Sequence, residues 1–471
     1  MTDIVLVLPK VAIGAAALLA LLLDSVTRGR ARRQVILAVV VLLLAAAATS
    51  AAGVGRTGTF LEGTLVVDRF SVFADVVLLV LAAVVVLAAM DGVGAGEDAG
   101  DFYTLLFLSL AGASLLASAG RLIMVFLAVE LSIIPTFALV AFRAEDRRSF
   151  EAALKYFLLS VFASAVMLFG LSLIFGAEGS VALPLPPDTA SSGLLLAGLG
   201  FVLAGFGFKL AAFPFHQWLP DAFEVAHPEV AAFLAVGPKL AAVVALVRIL
   251  EGLAAESGAW TSAIAAVAVL SMVWGNLGAF RQKRIPRLLA YSAIAHAGYA
   301  LIGLAGGGPR GVDGAVIYFA AYSAAAVGAF LVVGVLARGG IGDDLVDLAG
   351  LGRKRPLVAA AMTLFMLSMV GIPLFAGFWG KFSVFLGAIQ GGVVWLAVVG
   401  VLNSALSFGY YGNVIRLMYL DGPTGADGGL SAHETGGWGL RVALATAAGF
   451  TMLLGVAPAL LFGSLGANSG L

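Results

Sequence analysis

The sequence predicts an all-α polytopic membrane protein of about fourteen transmembrane helices, with inverted repeats of five helices and discontinuous helices 7 and 12. Three observations lead there. The 471 residues are 61% hydrophobic and only 11% charged, whereas a soluble domain holds about 45–50% apolar and about 25% charged residues. Apolar runs long enough to cross a bilayer, which takes about 20 residues, recur along the whole chain. Two of these runs are interrupted in the same manner.

In order, the expected spans are 4–23, 34–52, 70–90, 102–120, 121–142, 151–176, 192–215, 228–250, 259–280, 286–305, 311–337, 356–389, 392–420 and 440–464. Asp3 precedes the first run and no basic leader does, so that run is expected to be a permanent span. Only SAGRL (118–122) joins the fourth and fifth spans, which forces a tight antiparallel pair. The Gly/Asp-rich loop 91–101 and the Pro-rich loop 179–191 are too short to separate domains, so 1–471 is expected to form a single membrane domain. The seventh span runs into FKLAAFPFHQWLPDAF (208–223), and the twelfth contains GIPLFAGFWGKF (371–382). Each has an apolar half, a proline, a break, and then an aromatic and polar half. The two stand five positions apart in the order of spans, so they face opposite ways, as in an inverted repeat with 102–250 as the first unit and 259–420 as the second. Broken backbone at membrane depth survives only where protein or water covers it, which predicts a hydrated interior path.

Loop charge sets the orientation. Odd-numbered loops carry 16 Lys and Arg and even-numbered loops carry five, which puts odd loops in the cytoplasm and both termini outside. Zero net charge gives no sign of a nucleic-acid partner. The absence of cysteine excludes thiolate-held iron–sulfur clusters, disulfides and cysteine zinc sites. The glycine-rich GLAGGGPRG (303–311) follows no strand and makes no nucleotide site. No histidine pair has metal-ligand spacing with a third ligand nearby, so no metal and no cofactor is expected on this chain.

Five of the seven lysines, Lys10, Lys155, Lys209, Lys239 and Lys381, lie in apolar segments. A lysine at mid-membrane costs roughly 2.5–3.5 kcal/mol on insertion scales, so each needs a reason. Unlike arginine, lysine gives up its proton readily when desolvated, and a row of lysines suits reversible proton loading. Lys10 sits one turn into its span and is expected to reach back to the surface. Lys155, in EAALKYFLL, stands near a helix end, where the same behaviour competes with function, while Lys209, Lys239 and Lys381 lie deeper. Glu130, in VFLAVELSIIPTF (125–137), is the clearest mid-span carboxylate, with Pro135 loosening its helix. A structural salt bridge is its plainer alternative. Asp75 is expected to be interfacial. His296, in YSAIAHAGY (291–299), falls mid-span and suits a proton relay near neutral pH, against the alternative of a satisfied core histidine. His216 falls at the first break, His227 at a cytoplasmic turn, and His433 in a loop without a role.

With these stretches in view, the chain resembles the antiporter-like membrane subunits of respiratory complex I, and among them the subunit N family. The likeness rests on EAALKYFLLSVFASAVMLFG (151–170), FPFHQWLPDAFE (213–224), AFLAVGPKLAA (232–242), YSAIAHAGY (291–299) and GIPLFAGFWGKF (371–382). The FHxWLPD element is shared with the wider family, including multisubunit sodium/proton antiporters, and the alternative setting is a proton-conducting subunit of a multisubunit cation/proton antiporter or a membrane-bound hydrogenase. The resemblance implies that Glu130, Lys155, Lys209, Lys239, His296 and Lys381 carry protons along a hydrated chain at the membrane's middle plane. It further implies other membrane subunits of complex I as partners in a cell inner membrane. FMN and iron–sulfur clusters would sit in partner subunits, and quinone would be reduced elsewhere in the complex. The long lateral helix of the largest antiporter-like subunit is not expected, because few residues follow the last span. One departure stands out: VAHPEV (225–230) places His227 and Glu229 where the family usually has a small, hydroxyl-bearing stretch.

Overall fold

The computed structural model describes residues 4–27, 32–96, 98–143, 146–185, 193–251, 258–422 and 437–465. In chain order the helices are α1 (Ile4–Thr27), α2 (Arg32–Ala52), α3 (Arg69–Ala89), α4 (Ala99–Ala117), α5 (Leu122–Val140), α6 (Arg147–Glu178), α7 (Gly193–Leu210), α8 (Trp218–Val225) and α9 (Pro228–Glu251). There follow α10 (Gly258–Phe280), α11 (Ile285–Gly306), α12 (Gly308–Arg338), α13 (Leu351–Lys354), α14 (Pro356–Val370), α15 (Ala376–Gln390), α16 (Val394–Tyr419), α17 (Trp438–Val456) and α18 (Ala459–Ser464). A short hairpin of β1 (Gly58–Phe60) and β2 (Leu65–Val67) lies between α2 and α3. Among the described residues thirteen helices are long and apolar enough to cross a membrane. The broken pair α14 and α15 makes the fourteenth span, so both the expected count and the expected breaks are present.

Each break is made by a specific backbone event. The helix α7 ends at Leu210 as Ala211 turns into the left-handed region at φ +54°. The carbonyls freed there find donors: Gly207 O accepts from the Ala212 amide at 2.8 Å, and Phe208 O from the Trp218 indole at 3.1 Å. On the far side, the Phe213 amide donates to Ser271 Oγ at 2.9 Å. The helix α14 ends at Gly371, whose φ of +92° is open mainly to glycine. A Cβ at Gly371 would also sit 2.9 Å from Lys381 Cδ, so the glycine serves both the turn and the passage of the lysine stem. Val370 O then accepts from Lys381 Nζ and from Ser404 Oγ, each at 2.8 Å. Without water to pair with, open carbonyls at this depth would each cost several kcal/mol, and side chains at both breaks remove that cost.

Packing places α9 at the centre, with its whole spanning window buried, and α11 and α12 beside it at 94%. The α4–α5 pair is as tight as its short connection requires. A Cβ at Gly112 would lie 2.3 Å from the Ser132 amide nitrogen, and Ser109 Oγ donates to Ser132 O at 2.7 Å.

The N-terminal helices correct two expectations. Lys10 does not reach the surface and Asp75 is not interfacial. Lys10 Nζ lies 2.6 Å from Asp75 Oδ2, with side chains 6% and 2% exposed, and Ser114 Oγ donates to Asp75 Oδ1 at 2.5 Å. A carboxylate on the facing helix makes a buried ion pair available, and the lysine has no need to bend back to water.

Two stability tests follow from these contacts. Lys10→Met or Asp75→Asn alone strands a buried charge and is expected to cost about 3–5 kcal/mol, whereas the double substitution recovers most of that loss. Thermal midpoints of the detergent-purified protein give the cycle, and a double variant no better than the sum of its singles would refute the pairing. Gly371→Ala forces an L side chain into the left-handed region and onto the Lys381 stem, for about 1–3 kcal/mol. The same measurement should show a lowered midpoint; an unchanged one would mean that the break tolerates a side chain.

Candidate functional site

Lys209 occupies the last turn of α7, beside the first break, and is 3% exposed. Its Nζ donates to Ser132 Oγ of α5 at 3.1 Å. Glu130, on the same stretch of α5, is half-buried and accepts from Ser164 Oγ of α6. Glu130 and Lys209 are not in contact. Each meets a serine of its own, Ser132 for Lys209 and Ser164 for Glu130, and the Glu130 charge acts on the Lys209 amine across the gap between them.

Lys239 follows Pro238 in the middle of α9, is 1% exposed, and its Nζ has no hydrogen-bond partner among the described residues. Pro238 has no amide to give to the Leu234 carbonyl, so the helix is locally loosened beside the amine. His296 of α11 is next in range, and the charges of both Lys381 and Lys239 act on it. Its Nδ1 lies 2.5 Å from Tyr318 Oη and its Nε2 3.2 Å from Tyr411 Oη, and the ring stacks on Tyr322. Tyr411 Oη also pairs with Ser292 Oγ.

Lys381 of α15 donates to Val370 O at 2.8 Å and to Ser404 Oγ at 2.7 Å, and its Nζ stands 4.5 Å over the Tyr299 ring. This ammonium therefore caps the open carbonyl end of α14, where the helix dipole favours positive charge. His296, Tyr318, Tyr322, Ser368 and Lys381 share a cavity of about 10 Å³, the lower bound for one water. Further out, Tyr410 Oη donates to Asn276 Oδ1 at 3.0 Å, and Asn276 Nδ2 donates to Asn403 O at 3.0 Å.

Lys155 stands apart from this row. Its side chain is 51% exposed and pairs with Glu151 at 2.8 Å and Asp221 at 3.4 Å. Asp221 in turn accepts from Arg287 at 2.8 Å, and Arg287 and Arg284 both bind Glu224, at 2.6 and 2.5 Å. His216 is buried at the first break with Nδ1 unpartnered among the described residues, and His433 lies outside them. Among the described residues no three of His, Cys, Asp and Glu gather as metal ligands do.

Sequence reasoning singled out the titratable groups and missed their hydroxyl and amide partners. Asn276 and Asn403 were findable as amides in the middle of apolar spans. Ser132, Ser164 and Ser404 carried no signal, because serine is common in membrane helices for packing alone.

Residues 119–407 match the family model described as NADH:quinone oxidoreductase/Mrp antiporter, TM. NADH-quinone oxidoreductase subunit N of Trichlorobacter lovleyi is 36% identical over 88% of this chain and 87% of its own length. The Rubrobacter xylanophilus protein of the same name is 38% identical over 90% of this chain and 89% of its own. Among solved structures, a chain of respiratory complex I from Thermus thermophilus with bound aureothin has a TM-score of 0.82 and 32% identity, covering 97% of this chain and 99% of that one. A chain of the Mrp complex from Dietzia sp. has a TM-score of 0.87 at 24% identity, covering 99% of this chain and 98% of that one, a likeness of fold alone. The chain is a multi-pass membrane protein that belongs to the NADH:quinone oxidoreductase/Mrp antiporter family, within its NADH-quinone oxidoreductase subunit N branch.

Proposed function

We propose that this chain is a proton-translocating membrane subunit of an NADH-quinone oxidoreductase of the complex I type. It has no redox task of its own. Electrons pass from NADH to quinone through FMN and iron–sulfur clusters in partner subunits, and their energy reaches this chain through neighbouring membrane subunits. The setting is the cell's plasma membrane, with odd loops in the cytoplasm and both termini outside. Two repeats, 102–250 and 259–420, each contribute one broken span and part of the path.

One observation carries this reading. Four lysines are buried in the bilayer region, and only Lys10 has a carboxylate in contact among the described residues. Lys209, Lys239 and Lys381 meet hydroxyls, a carbonyl, an aromatic face or nothing. A structural salt bridge accounts for the first lysine and for none of the other three. An amine that must stand without a fixed counter-charge suits a group that is charged for only part of a cycle. Glu130 sets the charge near Lys209, His296 hands protons between Lys239 and Lys381, and Lys155 enters at the loop end through Asp221.

Lys239→Arg is expected to lower NADH-driven proton pumping about tenfold or more in the assembled complex, because arginine keeps its proton. Full coupled activity in that variant would sink the proton-loading role. Lys209→Ala and Glu130→Ala should likewise slow pumping about tenfold while the complex still assembles. Native gels for assembly, beside a pH-gradient dye for pumping, separate this outcome from simple loss of the subunit.

A further inference from the structure

The VAHPEV stretch (225–230) builds a polar cluster that the central row does not use. Glu229, in the first turn of α9, is 2% exposed, and its Oε1 lies 2.5 Å from Arg338 Nη2 of α12. The Arg338 side chain is 21% exposed, so the guanidinium stands between the carboxylate and the loop-side water. It also donates to Ala88 O at 3.0 Å, at the end of α3. Tyr103 of α4 faces the same cluster, since the charges of Glu229, Asp91, Arg32 and Arg338 all act on it. Tyr103 Oη and Arg338 Nη1 are buried without a hydrogen-bond partner among the described residues, the usual mark of a place where ordered water belongs. His227, half-buried in the turn before α9, is pushed down to about 4 by burial and by the nearby Arg143 and Arg338 charges, so its imidazole is neutral at physiological pH.

The position of the cluster gives it a purpose. From Glu229, α9 runs straight to Lys239, a rise of about 15 Å. From Arg338, α12 runs back to Tyr322, whose ring stacks on His296. Both helices thus connect this cluster to the buried row, and it lies at the end marked by the Arg-rich loops. Gly334 of α12 faces the carboxylate, and a Cβ there would come within 3.8 Å of Glu229 Oε1.

We propose that Glu229, latched by Arg338, loads protons from this face onto Lys239. The proposal rests on the proton-wire reading above and names its entrance. A proton from bulk water binds a carboxylate oxygen of Glu229, and the neutral acid releases Arg338. It then crosses by water to the free amine of Lys239, which returns the carboxylate to its starting form. No electron changes hands.

The test uses the complete complex in membrane vesicles. Glu229→Gln/Arg338→Met removes both charges together and leaves no stranded ion. The assembled double variant is expected to pump about tenfold more slowly, with a raised solvent deuterium isotope effect. An unchanged pumping rate, or a slower rate with an unchanged isotope effect, would overturn the loading role. Lys239→Ala serves as reference: normal pumping in that variant would overturn the proton-wire reading instead. Should the double variant not assemble, Glu229→Gln alone decides the matter, since Arg338 still reaches loop-side water. A fall of about tenfold supports the proposal, and an unaltered rate overturns it.

Discussion

Every backbone polar group at membrane depth must find its partner inside the protein, and this constraint shapes the whole molecule. An unbroken helix meets it automatically; a broken one exposes carbonyls that hydrocarbon cannot solvate. The two breaks are therefore the most demanding points of the fold, and lysines stand at both. At the second, Lys381 reaches back past Gly371 to the Val370 carbonyl, and Ser404 shares the same acceptor. The break needs a donor, and the buried ammonium needs an acceptor. Each removes the other's cost, and neither would be tolerated alone.

The comparison of Lys10 with the other buried lysines separates a paired lysine from unpaired ones within one chain, which is the ground for the proposed proton row. Lys10 and Asp75 neutralise each other and bind α1 to α3, with Ser114 of α4 completing the carboxylate's shell. This is a closed pair with little to exchange. Lys209 and Lys381 have partners that can be kept with or without the proton, hydroxyls that both donate and accept and a carbonyl, and Lys239 Nζ has none among the described residues. Such surroundings support two protonation states, whereas a contact carboxylate supports one.

Much of this was legible in the chain. Span count and both breaks followed from apolar length and from Pro and Gly at interior positions. The central row followed from the rarity of lysine and glutamate in apolar segments. What could not be read was pairing across helices. Lys10 and Asp75 each looked like end-of-helix residues, because their positions along the chain say nothing of whether the facing helix carries an opposite charge. Lys155 and Asp221 are likewise brought together only by the packing of α6 against α8. The hydrogen bond of Lys209 to Ser132 was invisible for the opposite reason, since serine is too ordinary in a membrane helix to attract notice.

The breaks also give a physical route by which distant chemistry could act on the row. A hydrogen bond weakens steeply as it lengthens or bends, and Lys381 depends on a carbonyl that exists as an acceptor only because α14 stops at Val370. A small shift of α14 against α15 would change that contact, and with it the solvation of the ammonium, without any displacement of the lysine's own helix. The cavity shared by Lys381 and His296 lies against this joint, with Ser368 of α14 in its wall. On the proposed proton path, the same movement would therefore alter both the proton's holder and the gap it must cross. An intact helix has no such joint, and this is the physical reason for interrupting a span beside a titratable side chain.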